Sequence, residues 1–220
     1  MPILLTLIDI SFITFTFLIS IYFDLKFRKI PNNFLKISFL IGLILNICDF
    51  FFDNNFFLNL ILRILFLLLI FLISLILFLL KIIGGGDGKV ILLIFLVHPI
   101  LYLNCYIISL FFLLFSLLFL TFFFFNMIIN STTKINNSFQ IYFKFCSNIL
   151  FTRFFIKMFY KFFDLSNLKN YNGDKFFIKT IFIIYNHQKR EFQILAQYRP
   201  PLIILCLLSY FLLFLLIIVI

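Results

Sequence analysis

Long uninterrupted runs of apolar residues dominate the chain and predict helices that cross a membrane. A membrane-spanning helix needs about 20 predominantly apolar residues, and runs of about this length or more occupy residues 3–23, 34–52, 58–80, 100–129 and 201–220. A shorter run at 90–98 predicts a half-length or tilted helix that turns at Pro99 into the helix after it, because proline removes a backbone donor. The runs are continuous rather than alternating, which excludes a barrel. The pattern therefore predicts an all-α integral membrane protein, a polytopic bundle of six helices.

Composition excludes the soluble classes of protein. The 220 residues are 65% hydrophobic and only 12% charged, against about 25% charged in an average soluble domain. This is too little polar surface to cover a water-soluble globule, so a cytosolic enzyme, a disordered tail and a secreted disulfide scaffold are all excluded. The first apolar run also lacks a basic segment before it and a small-residue cleavage site, so we expect it to remain as the first helix rather than to be a signal peptide.

The basic residues predict how the helices are oriented. Of the 18 Lys and Arg residues, all except Arg63 fall on one side of a six-helix arrangement. The positive-inside rule makes that side cytoplasmic and places both termini outside a cell membrane. The net charge of +10 is then explained by cytoplasmic loops beside an anionic leaflet, and nucleic acid is not expected as a partner.

Three segments are expected along the chain: a membrane core with helices 1–5 over 1–129, a basic cytoplasmic loop over 130–199, and a C-terminal membrane helix over 200–220. Within the loop, Arg153, Lys157 and Lys161 recur every four residues and predict an amphipathic helix that could lie in the headgroup plane. Residues 176–185 and 191–198 could form a β-hairpin. A solvated connecting loop is the equally weighted alternative.

Two aspartates are the candidate chemical groups. Asp24 follows the first helix, and Asp87 follows three glycines just before the half-length helix. Two predicted crossings separate them, so both carboxylates reach the same membrane interface. Close carboxylates cannot both ionise easily; the ionised one can take a proton from water while the protonated one hydrogen-bonds a carbonyl under attack. This is the chemistry of aspartic peptide hydrolysis, and the glycines would let a substrate strand approach.

Each of the two segments also has a simpler interpretation. A glycine run can be only a flexible connector, and an aspartate at the membrane edge can be only solvated. A phosphate-binding loop does not fit, because Ile83 stands where its first glycine is needed and Val90 where Ser or Thr is needed.

Taken together, the two segments resemble one family. The pattern Asp24-x-x-x-Arg28-x-Ile30-Pro31-Asn32 followed by Gly84-x-Gly86-Asp87-x-Lys89 is similar to that of the type IV prepilin peptidases and their archaeal preflagellin peptidase relatives, which are GxGD membrane aspartic proteases. The resemblance covers residues 1 to about 129. It implies that Asp24 and Asp87 are catalytic, and that Gly84, Gly86, Lys89, Arg28, Pro31 and Asn32 support them. It also implies prepilin-like or preflagellin-like precursors as substrates, cut at the cytoplasmic membrane edge between a basic leader and an apolar helix, with no cofactor and no metal.

The cysteines depart from the bacterial pattern within this family. Many bacterial members carry a tetra-cysteine insertion and also methylate the new terminus. Here Cys48, Cys105, Cys146 and Cys206 are scattered without a Cys-x-x-Cys pair, so they are interpreted as small apolar residues. The chain therefore resembles the archaeal type, and methyltransferase activity is not expected.

Two other functions remain as alternatives. Presenilins and signal peptide peptidases share the Gly-x-Gly-Asp element, but they are larger and place both aspartates within helices. A catalytically silent scaffold or a transporter is the alternative from another class, although a transporter should show inverted repeats and charges at the membrane midplane.

Charged residues within the apolar runs need partners. Asp9 and Arg63 lie at similar depths from the outer ends of helices 1 and 3, so we predict an ion pair between them, with Asp49 as the competing partner. His98 is interpreted as a turn residue, and His187 has no neighbours suited to bind a metal.

Overall fold

The computed structural model describes residues 2–27, 29–51, 56–80, 82–99, 103–132, 135–146, 150–164, 176–186, 190–198 and 200–219. In chain order the elements are α1 Pro2–Phe27, α2 Asn32–Phe51, α3 Phe56–Leu79, α4 Gly85–Val97, α5 Cys105–Thr132, α6 Ile135–Cys146, α7 Leu150–Phe159, β1 Tyr160–Asp164, β2 Phe176–Asn186, β3 Glu191–Tyr198 and α8 Leu202–Val219. They form two compact units, one of Met1–Ser116 with Pro201–Ile220 and one of Leu117–Pro200.

Helices suited to a membrane dominate the described residues. Three are long and apolar enough to cross one, at Thr6–Phe27, Leu58–Leu79 and Cys105–Thr132, and Asn32–Cys48 and Leu202–Leu216 are shorter apolar helices. Their outward faces carry large apolar side chains such as Leu18, Leu65 and Leu79, each more than half exposed. A helix that is apolar on its outer face suits lipid better than water. The helical membrane class is supported, while the number of six crossings stays a prediction.

Helix α4 lies at the centre of the first unit, and its bounds differ from the prediction. Its buried residues run from Gly88 to Val97 with only two interruptions, so an apolar run too short to span lipid is enclosed by protein instead. The predicted helix began at residue 90, but α4 begins at Gly85 and therefore includes Asp87. The helix begins at the glycines because the Asp87 side chain accepts a hydrogen bond from the Gly84 N–H and so caps the first turn of α4.

The next helix also starts later than predicted. Instead of beginning at residue 100, α5 begins at Cys105. The Asn104 side-chain oxygen accepts a hydrogen bond from the Ile107 N–H over 2.8 Å, which is the usual way in which asparagine caps a helix start. The apolar pattern alone did not indicate this boundary because the residues before Asn104 are also apolar.

Close contacts from α2 hold α4 in place. Asn46 donates from Nδ2 to the Leu96 carbonyl over 2.8 Å and to the Gly42 carbonyl over 2.7 Å. A Cβ atom at Gly42 would lie only 2.9 Å from Val97 Cγ2. The two helices therefore approach closely where Gly42 has no side chain, and Asn46 satisfies a carbonyl at the end of α4.

Substitution of Gly42 by valine is expected to destabilise the first unit. The added side chain would overlap Val97, and overpacking of this kind costs about 1–3 kcal/mol. Thermal unfolding of the purified protein in detergent measures the effect, with Leu43→Val, at an exposed position of the same helix, as the matched control. Equal melting temperatures for the two variants would contradict the close packing of α2 on α4.

A buried polar cluster surrounds the C-terminal end of α4. Asp9 of α1 is 2% exposed and Arg63 of α3 is 3% exposed. Arg63 donates to the His98 carbonyl, and the His98 Nδ1 is 3.0 Å from the Tyr210 hydroxyl of α8. Asp9 interacts electrostatically with Tyr210. His98 thus does more than turn the chain, because it joins α4 to both α3 and α8.

The predicted ion pair between Asp9 and Arg63 is consistent with this cluster and stays a prediction. Both residues contribute to the same buried end of the unit. The side chain of the competing partner, Asp49, lies outside the described residues, as does His187.

The second unit contains a small antiparallel sheet of strand order β1-β3-β2. The predicted hairpin is confirmed, with Asn186 opposite Glu191 beside the turn. The predicted basic helix is only partly correct, because α7 ends at Phe159 and Lys161 lies in β1. Strand β1 is stabilised by pairing with β3, a long-range contact that the four-residue spacing could not indicate.

Apolar and polar contacts both anchor this sheet. Its core contains Phe139, Tyr142, Phe143, Phe162, Ile184 and Leu195. The buried Ser138 hydroxyl donates to Gln193 Oε1 over 2.6 Å, and Gln193 Nε2 donates to Asp164 over 2.6 Å. Asn126 and Asn130 of α5 donate to backbone carbonyls of Met158 and Lys157. A packed apolar core with buried side-chain hydrogen bonds is not a solvated loop, so that alternative is wrong for the described part of this unit.

Candidate active site

Asp87 is fixed by the glycines that precede it. Its Oδ2 accepts the Gly84 N–H over 2.9 Å, and a Cβ atom at Gly84 would lie 3.0 Å from the same oxygen. The carboxylate is half-buried in the first turn of α4, where the helix dipole favours negative charge. The lack of a side chain at Gly84 therefore gives the carboxylate the space it occupies.

Asp24 lies within α1 and not after the first helix as predicted, because the helix continues past the apolar run and ends at Phe27; the residue is also half-buried. Asp24 and Asp87 both interact electrostatically with the thiol of Cys206 on α8. The charges of both carboxylates therefore act on the same buried residue, and their pairing with each other stays a prediction. Half-burial leaves each carboxylate partly accessible while removing part of its hydration.

Cys206 is the residue of this site that the sequence analysis missed. It was interpreted as a small apolar residue, and its burial, at 1% exposed, agrees with that. Nothing in its spacing indicated that it would lie within electrostatic range of both aspartates. The only available signal was its position one turn into the helix that follows Pro200-Pro201.

The two sequence motifs are in direct contact. Lys89 donates from Nζ to Asn32 Oδ1 over 3.0 Å, which joins α4 to the first residue of α2. A Cβ atom at Gly86 would lie 3.4 Å from Ile30 Cδ1, so the connection between α1 and α2 packs on the start of α4. The segment that follows Asp24 and the segment that contains Asp87 thus form one folded site.

The remaining predicted site residues that the structure describes lie at or near the starts of α2 and α4. Pro31 is exposed, and its carbonyl accepts the Leu35 N–H over 3.2 Å at the start of α2. Gly84 is exposed and Gly86 is half-buried. Arg28 lies outside the described residues.

The arrangement suits acid–base chemistry better than nucleophilic catalysis by cysteine. Cys206 is too deeply buried for a substrate to reach. The ring Nδ1 of His98 is 3.0 Å from the Tyr210 hydroxyl, and His98 lies about 16 Å from Asp87 along α4. Among the residues that the structure describes, no three His, Cys, Asp or Glu side chains gather to hold a metal ion. The two half-buried carboxylates are candidates for acid–base chemistry.

Comparison with known proteins identifies the family. The model of the Type IV leader peptidase family matches residues 10–131, a segment that includes Asp24, the connection to α2, and Asp87. Neither the curated proteins nor the solved structures gave a match. Because the family match covers more than half of the sequence, this chain belongs to the type IV leader peptidase family.

Proposed function

We propose that the chain is a membrane-embedded aspartic endopeptidase that cleaves the leader peptide from type IV prepilin-like precursors, either pilins or archaellins. Membership of the family supports a protease of the leader-peptidase kind. The observation that carries the aspartic mechanism is the packing of the connection after Asp24 on the start of α4, where a Cβ atom at Gly86 would lie 3.4 Å from Ile30 Cδ1. The contact between their two motifs, through Asn32 and Lys89, gives independent support.

In the proposed reaction the two carboxyl groups act as a unit. The ionised carboxylate takes a proton from a water molecule, and the water oxygen attacks the carbonyl carbon of the scissile peptide. The protonated carboxyl hydrogen-bonds the carbonyl oxygen as negative charge develops there. The carbon–nitrogen bond then breaks, and the departing amine takes a proton from the carboxyl group that gained one. The pair shares its protons, so its titration belongs to both residues.

We place this reaction at the cytoplasmic membrane edge. The basic residues around the connection from α1 to α2, including Lys26, Lys29 and Lys36, support this orientation through the positive-inside rule. The multi-pass arrangement with both termini outside follows from the same rule and from the predicted six crossings.

One observation favours the presenilin-like alternative. Both aspartates lie within helices, Asp24 in α1 and Asp87 in α4, as expected for proteases that cut inside the membrane. The family match favours the leader peptidase. The two activities differ in where the substrate is cut, so they can be distinguished directly.

The cut position in a prepilin-like precursor tests the proposal. Purified full-length protein is reconstituted into vesicles with the precursor, and the products are identified by mass spectrometry. Cleavage between the basic leader and the apolar helix is the expected result. A cut within the apolar helix would support the presenilin-like alternative. Intact precursor across a panel of pilin-like and archaellin-like substrates would contradict proteolysis and favour a silent scaffold.

Replacement of Asn32 by alanine is expected to slow cleavage moderately. The change removes the acceptor for Lys89 that joins α2 to α4, and a single hydrogen bond contributes about 0.5–1.5 kcal/mol. We expect a decrease in kcat/KM of about 2- to 10-fold. Asn33→Ala, at the exposed neighbouring position, is the matched control and should retain wild-type activity. Equal activity of the two variants would show that the contact does not support the site.

A further inference from the structure

A groove opens on the first unit beside α2 and the start of α4. It has a volume of about 630 Å³ and is lined by Asn32, Leu35, Lys36, Phe39, Leu40 and Lys89. This volume is in the range typical of sites that bind small molecules. The aspartic mechanism proposed above does not use Lys36, Phe39 or Leu40.

The lining residues form one continuous stripe along α2. Positions 32, 35, 36, 39 and 40 follow the three- and four-residue spacing of a single helix face. The polar Asn32 and Lys36 come first, and the apolar Phe39 and Leu40 follow. Asn32 and Leu40 are separated by about 12 Å along the helix. The groove therefore changes from cationic and polar at one end to apolar at the other.

The positive charge at the polar end of the groove determines which ligands can bind there. Lys36 and Lys89 are both exposed cations on the lining. Lys89 gives one hydrogen bond to Asn32, and an ammonium group has three donors, so it can also donate to an anion. A basic leader peptide would be repelled here. The polar end suits a phosphate, and the apolar end suits a hydrocarbon chain.

We propose that this groove binds an anionic phospholipid, with the phosphate at Lys36 and Lys89 and one acyl chain along Leu35, Phe39 and Leu40. A membrane protein is surrounded by lipids of this kind. Basic pockets between helices at the membrane edge are suited to anionic headgroups. The groove adjoins the proposed active site, because Lys89, which lines the groove, is two residues after Asp87. The proposal concerns lipid binding and holds independently of whether the chain cleaves a precursor.

Retention of lipid by the purified full chain tests this inference. The protein is reconstituted in nanodiscs with equal amounts of phosphatidylglycerol and phosphatidylcholine and transferred to detergent, and the lipid that stays bound is counted by native mass spectrometry. We expect phosphatidylglycerol to be retained over phosphatidylcholine by at least about fivefold. Lys36→Gln and Lys89→Gln should each lower that preference by about fivefold. Leu40→Trp, which fills the apolar end, should lower the retention of both lipids.

A charge-matched control separates the groove from general surface charge. Lys26→Gln combined with Lys29→Gln removes two exposed cations that do not line the groove, and this variant should keep the wild-type lipid preference. Equal retention of both lipids by the wild-type protein would overturn the proposal. A decrease in the control as large as that in the Lys36 and Lys89 variants would also overturn it. Displacement of the lipid by millimolar inorganic phosphate would show a site for free anions instead.

Discussion

Replacing either Asp24 or Asp87 by asparagine is expected to lower the rate of precursor cleavage by about 10³-fold. The amide has nearly the same size as the carboxyl group, but it can neither take a proton from water nor release one to the departing amine. The half-buried position of both residues removes part of their hydration, so bulk water replaces the missing group poorly. Initial rates with purified proteins at matched concentration measure the effect.

The combined variant and a distant carboxylate make this prediction specific. Residues that act as a unit give effects that are far from additive, so Asp24→Asn/Asp87→Asn should be no slower than either single variant. Asp164→Asn is the control, because Asp164 is a half-buried carboxylate that accepts from Gln193 in the sheet. It should retain wild-type activity. Near-normal cleavage by either folded single variant would contradict the shared role of the pair.

Arg63→Met is expected to cause the largest loss of stability. Arg63 is 3% exposed and donates to the His98 carbonyl at the end of α4. Removing one member of a buried charged group leaves the remaining charge and the carbonyl poorly compensated, which typically costs about 3–5 kcal/mol. Thermal or denaturant unfolding in detergent measures the change in the free energy of unfolding.

A double-mutant cycle tests the predicted pairing of Arg63 with Asp9. Asp9→Asn and Arg63→Met are measured singly and together, and residues in contact should show a coupling energy of about 0.5–3 kcal/mol. We expect the double variant to lose less stability than the sum of the single losses, because it leaves no isolated buried charge. Strictly additive losses would show that the ion pair is wrong and that each residue acts through other neighbours.

Much of the helical architecture could be predicted because long apolar runs are typical of helices that cross a membrane. The segments around Asp24 and Asp87 could also be recognised from the sequence as candidate sites, because few residues in this chain are charged. The charges of both aspartates also act on Cys206 of α8. That residue has no special spacing and could be found only once α1, α4 and α8 were packed together.

The errors in prediction have two physical sources. Helix boundaries at Gly85 and Cys105 depend on side-chain caps from Asp87 and Asn104, which a count of apolar residues does not include. Strand β1 depends on pairing with β3, which is distant in sequence. Local periodicity indicates a helix across this segment, and long-range pairing changes the outcome at Tyr160.

We propose that Asp24 and Asp87 act as a pair in a single site, and cross-linking in membranes tests this pairing most directly. The native cysteines are first removed by Cys48→Ser, Cys105→Ser, Cys146→Ser and Cys206→Ala, and cysteines are then placed at positions 24 and 87. A short bifunctional thiol reagent should join this pair efficiently. Ser11→Cys with Asp87→Cys is the control, because the exposed Ser11 lies about 20 Å from Asp24 along α1. Efficient linking of 24 to 87 with little linking of 11 to 87 is the predicted result, and equal yields for the two pairs would contradict a shared aspartate site.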